Sequence, residues 1–329
     1  MTIQNKTMLV TGANSGLGFE ASAQLAEEGA ARVILGVRSQ AKGEDARARL
    51  VQRVGRDPFE VLVVDLASPH TLREAVSELH RRGGALDGLV LNAGLMSGEE
   101  IQRVEGGIER TVAASLSGHH SLVVGLLESG LLADEARLVV AGSEAARGDL
   151  PMMGLLDLRA FAAQNTGGQL VPALEMLARA EAPYVYAQMP HYANTKLLLA
   201  WWVSALARRL PVGMAAFTVS PGSVPDTSVS RHQGWLMRSV FVPLSTSWLG
   251  QKLGMGATVG SGARRYLDGL ALPRAESGRF YASAPGKVVG PMVRQELDHL
   301  LDEELSEATW AALAELTGAE LSPVRAVAN

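Results

Sequence analysis

The run Thr11-Gly12-Ala13-Asn14-Ser15-Gly16-Leu17-Gly18 constrains this chain more than any other stretch, because of what flanks it. The apolar run Met8-Leu9-Val10 precedes it and a helical pattern over 17–28 follows, so the glycines mark a strand-to-helix turn. Such a turn lets backbone N–H groups at a helix N-terminus approach a pyrophosphate. With 35 glycines in the chain the spacing by itself is weak, and its place between a strand and a helix gives it weight.

Apolar runs then alternate with helical patterns for two-thirds of the sequence. Strands are expected at 7–11, 32–37, 60–65, 87–92, 137–142 and 213–220, and helices at 17–28, 41–54, 69–82, 107–130 and 192–210. This order predicts an α/β fold with a doubly wound parallel sheet (a Rossmann fold) in one catalytic domain over 1–329. Right-handed crossovers put every strand's C-terminal end on one ligand-binding edge. Two stretches break the rhythm. Residues 144–191 separate a strand from its helix, with Gly148-Asp149-Leu150-Pro151, Thr166-Gly167-Gly168 and a helical patch near 170–181. They lack an apolar pattern large enough for a core of their own and read as an insertion. Residues 223–256 interleave Trp235, Leu236, Met237, Phe241, Val242, Trp248 and Leu249 with Pro, Ser and Gly, the composition of a loop that packs over a substrate or a subunit. The tail 291–329 is expected to be helical, with two helices between Pro291 and about Thr317.

Composition narrows the function classes. A net charge of −4 gives no electrostatic footprint for nucleic acid. The pairs Arg81-Arg82 and Arg208-Arg209 close expected helices, where cations meet the C-terminal end of the dipole. The absence of Cys excludes disulfides, thiolate catalysis and Cys-based metal sites. The first strand begins almost at Met1, leaving no room for a signal peptide, and no apolar run reaches membrane-spanning length. A soluble cytoplasmic protein is the expectation.

Candidate chemistry gathers at the expected strand ends. The second strand closes on Leu35-Gly36-Val37-Arg38-Ser39, where an Asp or Glu would hold a ribose 2′-hydroxyl. Arg38 suits a 2′-phosphate instead, although an exposed Arg is common at a strand end. Asp65-Leu66 closes the third strand, and a short carboxylate there can reach an adenine edge or cap the helix before Pro69, a role Ser68 could fill better. Asn92-Ala93-Gly94 closes the fourth with small residues that let the backbone pass close to a cofactor. Tyr192 is the only one of five tyrosines with a Lys at the fourth position after it, Lys196. On a helix the two share a face, so the ammonium and a positive nicotinamide ring could lower the phenol from its usual pKa of about 10. Ser143, after Leu138-Val139-Val140-Ala141, is placed to polarise a substrate carbonyl or to cap a turn, and its combination with Tyr192 and Lys196 favours the first.

As an ordered set these residues resemble the short-chain dehydrogenase/reductase family, single-domain branch, over about residues 5–285. The set comprises Thr11 to Gly18, Asp65-Leu66, Asn92-Ala93-Gly94, Ser143, Tyr192 with Lys196, and Pro221-Gly222 with Thr227. The resemblance implies hydride transfer at the nicotinamide C4, with Tyr192 as acid/base, Lys196 as its partner and ribose ligand, and Ser143 orienting the carbonyl. It assigns the cofactor to Gly12, Asn14, Ser15, Gly16, Leu17, Gly18, Asp65, Leu66, Asn92, Ala93, Gly94, Pro221, Gly222, Val224 and Thr227, and Arg38 matches the NADP-preferring pattern. More narrowly, the chain is similar to the retinol-dehydrogenase-like and protochlorophyllide-reductase-like groups through Gly36-Val37-Arg38-Ser39, Gly142-Ser143, Leu156-Asp157-Leu158-Arg159 and Pro221 to Thr227. Both groups handle apolar substrates. Protochlorophyllide reductases carry active-site cysteines, however, and this chain has Ser223 after Pro221-Gly222 and no Cys.

One departure bears on mechanism. Where the family has an Asn expected to hold a water in a proton relay, this chain has Ser115, whose hydroxyl offers one donor and a shorter reach. His119 and His120 nearby are either substitutes or structural. The reading that follows is an NADP(H)-dependent oxidoreductase interconverting a carbonyl and an alcohol on a bulky, largely apolar small molecule. The alternatives are reduction of a conjugated C=C bond with the same cofactor, or a catalytically impaired NADP-binding sensor or scaffold, which Ser115 favours. The insertion enters directly before Tyr192, beside the helices through which family members commonly pair. A monomer or an atypical homodimer is therefore expected, with no nucleic-acid partner, no bound metal and no membrane span.

Overall fold

The central strands are apolar on both faces, and the sheet they form is covered on both. The computed structural model describes residues 1–224 and 257–321. Its first half runs β1 (Thr7–Thr11), α1 (Gly16–Glu27), β2 (Arg32–Val37), α2 (Gln40–Val54), β3 (Phe59–Val63), α3 (Pro69–Arg82) and β4 (Leu86–Leu91). There follow α4 (Arg110–Val112), a π-helical turn at Ala113–Ser117, α5 (Gly118–Glu128) and β5 (Leu132–Ala141). The insertion contributes α6 (Leu158–Asn165) and α7 (Leu170–Arg179). Then come α8 (Gln188–Ala207), β6 (Ala215–Val219), α9 (Val259–Leu270), β7 (Phe280–Ala282), β8 (Val293–Arg294) and α10 (Glu303–Thr317).

The strand order is β3-β2-β1-β4-β5-β6-β7-β8, parallel throughout except for the last pair. This is the doubly wound α/β Rossmann architecture, and its order reverses between β1 and β4, where a crevice opens at the strands' C-terminal ends. Alternate strand residues feed two cores. Leu9, Leu89, Leu138 and Ala216 join the core shared with α3, α5, α8 and α10, whereas Met8, Val10, Val90, Val139 and Phe217 join the one shared with α1 and α9.

Helix α8 has fifteen of its twenty residues buried, Trp201 and Trp202 among them. A helix apolar all round must be covered all round. The covering comes from α10, which lies against both α8 and α7, so the chain's own C-terminal helix occupies the outer face of α8. Trp201 Nε1 donates to the His299 carbonyl at 2.6 Å, and Arg209 lies 4.5 Å over the Trp310 ring.

Several expectations need correction. The helix expected at 107–130 starts at Arg110 and is interrupted by the π turn. Between Pro291 and Thr317 the tail holds one α-helix, not two, preceded by a 3₁₀ turn at Asp298–Leu300 and the short β8. The residues from 291 to 297 carry no apolar period long enough for a helix. Helix α9 and strand β7 were not anticipated. The insertion holds two helices, and their apolar residues Phe161, Leu174 and Leu177 belong to the main core. Most of the apolar loop at 223–256, and Thr227 with it, lies outside the described residues. Among the described residues no helix is long and apolar enough to cross a membrane.

Candidate active site

Strand β1 delivers the chain to its turn with Gly12 and Ala13 donating to the Gly36 carbonyl at 2.8 and 3.3 Å. Gly12 takes φ +67°, a left-handed conformation that suits glycine. At Gly18 a Cβ would stand 2.3 Å from the Gly12 carbonyl oxygen, so α1 can pack this close to the turn only without a side chain there. Ser15 occupies the N-cap of α1 without a side-chain cap bond, and the helix N-terminus opens on the crevice.

A cleft of about 600 Å³ runs along the sheet edge from this turn. Gly12, Asn14, Ser15, Gly16 and Leu17 line its middle, and Arg38, Asp65 and Leu66 line one end. Asn92, Ala93, Gly94, Pro221, Gly222 and Val224 continue the wall toward Ser143, Tyr192 and Lys196. The sequence motifs, drawn from seven separate segments, therefore meet on one surface. Gly18 and Ser115 stand behind the wall. Lys42, one turn beyond Arg38 on α2, also lines the Arg38 end, and sequence reading missed it although its spacing was visible. Arg38 and Lys42 are exposed and have no hydrogen-bond or ion-pair partner among the described residues.

At the other end Tyr192 and Lys196 share a face of α8, with Nζ 5.8 Å from the phenol ring centroid. Lys196 donates to the Ala141 carbonyl at 2.7 Å, and burial lowers it to about 8. The expected lowering of Tyr192 does not occur in the protein alone. Burial pushes the phenol up to about 12, while the Ser143 hydroxyl beside it pulls the other way.

Ser115 lies in the π turn, a helical irregularity frequent at functional sites. Its hydroxyl accepts from the Leu95 N–H at 3.4 Å, and a Cβ on Gly94 would be 3.0 Å from it and 3.9 Å from Lys196 Nζ. Its carbonyl is taken by His119, whose Nδ1 donates at 3.0 Å. His119 Nε2 accepts from Thr11 Oγ1 at 2.9 Å, and that oxygen accepts in turn from the Ala93 N–H. His120 donates from Nε2 to the Ala319 carbonyl at 2.8 Å and accepts at Nδ1 from Trp202. Burial lowers both imidazoles to about 4, so they are neutral, with both ring nitrogens spent on fixed partners. They are structural.

The residue after Ser143 was also missed. Glu144 is 4 % exposed, and its carboxylate accepts from the Ser220 hydroxyl, from the Ser283 N–H at 3.1 Å and hydroxyl at 3.0 Å, and from Arg265 at 3.4 Å. Arg265, on α9, also donates to the Ser220 and Gly290 carbonyls at 3.0 and 2.5 Å. This buried pair ties the Pro221-Gly222 turn and the loop after β7 to the end of β5. No local pattern announces it, since the partners are 121 residues apart.

Residues 6–155 match the family model described as short chain dehydrogenase. The chain is 27% identical over 307 residues to a WW domain-containing oxidoreductase of Gallus gallus, covering 93% of this chain and 68% of that protein. It is 28% identical over 332 residues to a polyprenol dehydrogenase of Mus musculus, covering 95% and 84%. Among solved structures, a protein of uncharacterised function from Mycobacterium paratuberculosis superposes with a TM-score of 0.69 at 24% identity, over 98% of this chain and 97% of that one. A short chain dehydrogenase from Burkholderia cenocepacia J2315, solved in complex with NADP, gives 0.57 at 22% identity, over 85% and 96%. At these identities the structural likenesses establish the fold.

Proposed function

We propose that the chain is a member of the short-chain dehydrogenase/reductase superfamily, and that it is an NADP(H)-dependent oxidoreductase acting on the carbonyl, or the corresponding alcohol, of a bulky and largely apolar small molecule. The observation that carries this reading is the single cleft with Arg38 and Lys42 at one end and Ser143, Tyr192 and Lys196 at the other. Its glycine-cradled middle, next to the open N-terminus of α1, fits a pyrophosphate, and the two cations fit a 2′-phosphate. The bound nicotinamide would supply the hydride. The NADP in the Burkholderia protein and the name of the murine polyprenol relative support cofactor and substrate class respectively.

The chain's own residues handle the proton. With its pKa held near 12, the Tyr192 phenol is protonated at neutral pH and is a donor to a carbonyl oxygen. Ser143 donates a hydrogen bond to the same oxygen and fixes its direction. Lys196, lowered to about 8, exchanges a proton near neutrality and can restore the phenol's. The retinol-dehydrogenase-like branch is the one we infer, on the insertion and on the segment from Pro221 to Val224. Because α10 covers α8, we infer a monomer or an atypical dimer, which light scattering across a dilution series tests.

The functional test is a panel of aldehydes and ketones graded by size, with NADPH or NADH, followed at the nicotinamide absorbance with product analysis. NADPH-dependent alcohol formation from apolar carbonyls is the expected result. Tight NADPH binding without turnover on any carbonyl would return the reading to a sensor, and saturation of a C=C bond would redirect the chemistry.

A further inference from the structure

The cofactor motifs leave one part of the cleft unexplained. Beside Tyr192 the wall is made by Leu150, Met153, Met189 and Val288, none of which belongs to those motifs. Leu150 and Met153 come from the insertion, in the loop at 148–153. Met152 next to them is 75 % exposed, whereas Met153 packs against the small cluster of Met96, Ala145, Tyr192 and Ala193.

Both ends of this loop are pinned. At its start Arg147, whose side chain is fully buried, donates to the Ser283, Ala284 and Lys287 carbonyls at 2.6, 3.2 and 2.8 Å and to Asp149 at 3.0 Å. The other Asp149 oxygen accepts from the Gly286 N–H at 2.7 Å. At its far end Asn194, two residues past Tyr192 on α8, accepts from the Leu156 N–H at 2.9 Å and donates to the Pro190 carbonyl at 2.7 Å. Burying a guanidinium is costly, and an apolar side chain of similar volume is often as stable. The bonds of Arg147 run between two loops that flank the cleft, one of which presents Val288, so what they fix is the position of those loops.

We propose that the loop at 148–153 is the specificity wall of the substrate site. Leu150 and Met153 select an extended apolar group beside the reacting carbonyl, and Arg147 is the positioning residue that holds this wall against the loop at 283–288. The proposal rests on the carbonyl-reduction reading. Apart from thioether sulfur the four side chains offer no donor or acceptor, and unbranched Met adapts to irregular apolar shapes. The occupant is therefore an aliphatic or other hydrophobic moiety and not a sugar or an acid.

The test uses the whole protein with NADPH and the n-alkanals from butanal to dodecanal. In Met153→Ala and Leu150→Ala, kcat/KM for dodecanal is expected to fall about tenfold further than that for butanal, while the NADPH Kd holds within about twofold. Arg147→Met is expected to raise KM for the long alkanals more than it lowers kcat, and to speed amide exchange in residues 283–288, with Arg147→Lys recovering part of both. A wild-type chain-length profile in both wall variants overturns the wall, and unchanged exchange in Arg147→Met overturns the clamp. If the wild type reduces no alkanal, the functional reading fails separately. The wall is then scored by dodecanamide binding to the NADPH-loaded protein, read by quenching of NADPH fluorescence. Binding about tenfold weaker in Met153→Ala upholds it, and equal binding, or none to the wild type, overturns it.

Discussion

At the cofactor end of the cleft the wall is built on a glycine turn and a helix N-terminus, whereas at the substrate end it is held in place by buried ions. Gly12, Gly16 and the N-terminus of α1 form the first surface by backbone conformation, with exposed Arg38 and Lys42 at its edge. Glu144, Arg147 and Arg265 form the second by pulling β5, the insertion, the Pro221-Gly222 turn and the loop at 283–290 together. The contrast is between a surface set by short contiguous stretches of sequence and one set by contacts between distant segments, 121 residues apart for Glu144 with Arg265 and 136 for Arg147 with Ser283. It teaches that a generic cofactor site can be encoded locally, while a site particular to one substrate is assembled from distant parts.

The sharpest way to separate the two ends is Tyr192→Phe, which keeps the ring and deletes the proton. Turnover should fall by roughly 10²–10⁴-fold, as general acid loss does, with the NADPH Kd nearly unchanged. Near-native turnover would show that the proton comes from another group.

The buried pair should matter for stability in a way the exposed cations do not. Arg265→Met strands the Glu144 carboxylate without its cation, which costs about 3–5 kcal/mol in comparable buried pairs. Adding Glu144→Gln should recover a large part of the loss in thermal melts. If the single and double variants melt alike, the contrast between the ends is one of appearance only.

The same contrast decides what could be read from the sequence. Arg38, Asn92 and Tyr192 with Lys196 were legible because each sits at a strand end or on one helix face, where local spacing fixes its direction. The strands from β1 to β6 were legible because apolar runs bounded by turns leave little choice. Glu144 was invisible beside the more obvious Ser143, since a lone Glu reads as a solvated charge until Arg265 and Ser283 are placed around it. The tail differs from expectation because the stretch before Asp298 is extended at Leu297 and makes only a single turn at Asp298–Leu300. The rise of Tyr192 in the protein alone had no local signal, because it comes from burial and from the Glu144 charge, both set by tertiary packing.

Acid should weaken the interior beneath the cofactor end and under the tail together. His119 and His120, lowered to about 4 by burial, are neutral in the folded protein, whereas in the unfolded chain they titrate near 6.5. Between those values the unfolded chain binds more protons, so the stability these sites contribute is present above about pH 6.5 and lost as pH falls toward 4. Each can account for at most about 3 kcal/mol. Urea titrations at neutral and acid pH should show a smaller acid loss in His120→Gln than in the wild type. Identical losses would place the acid-sensitive groups elsewhere.

The smallest effect tests whether the cofactor end discriminates by charge alone. Arg38 and Lys42 are exposed and paired with nothing among the described residues, so replacing either should leave the melting temperature alone. A guanidinium can meet a phosphate with two parallel N–H bonds, whereas an ammonium acts as a point charge. Arg38→Ala should therefore cost about 1.5–3 kcal/mol of NADPH affinity and spare NADH, which lacks the 2′-phosphate. Lys42→Ala should cost less, because its charge stays hydrated on a flexible stem and is screened by salt. The measurement is a pair of fluorescence titrations for each variant, repeated at higher ionic strength, where the Lys42 contribution should shrink first. Equal weakening of NADPH and NADH in Arg38→Ala would mean that the guanidinium supports the adenosine half at large and does not discriminate by the 2′-phosphate.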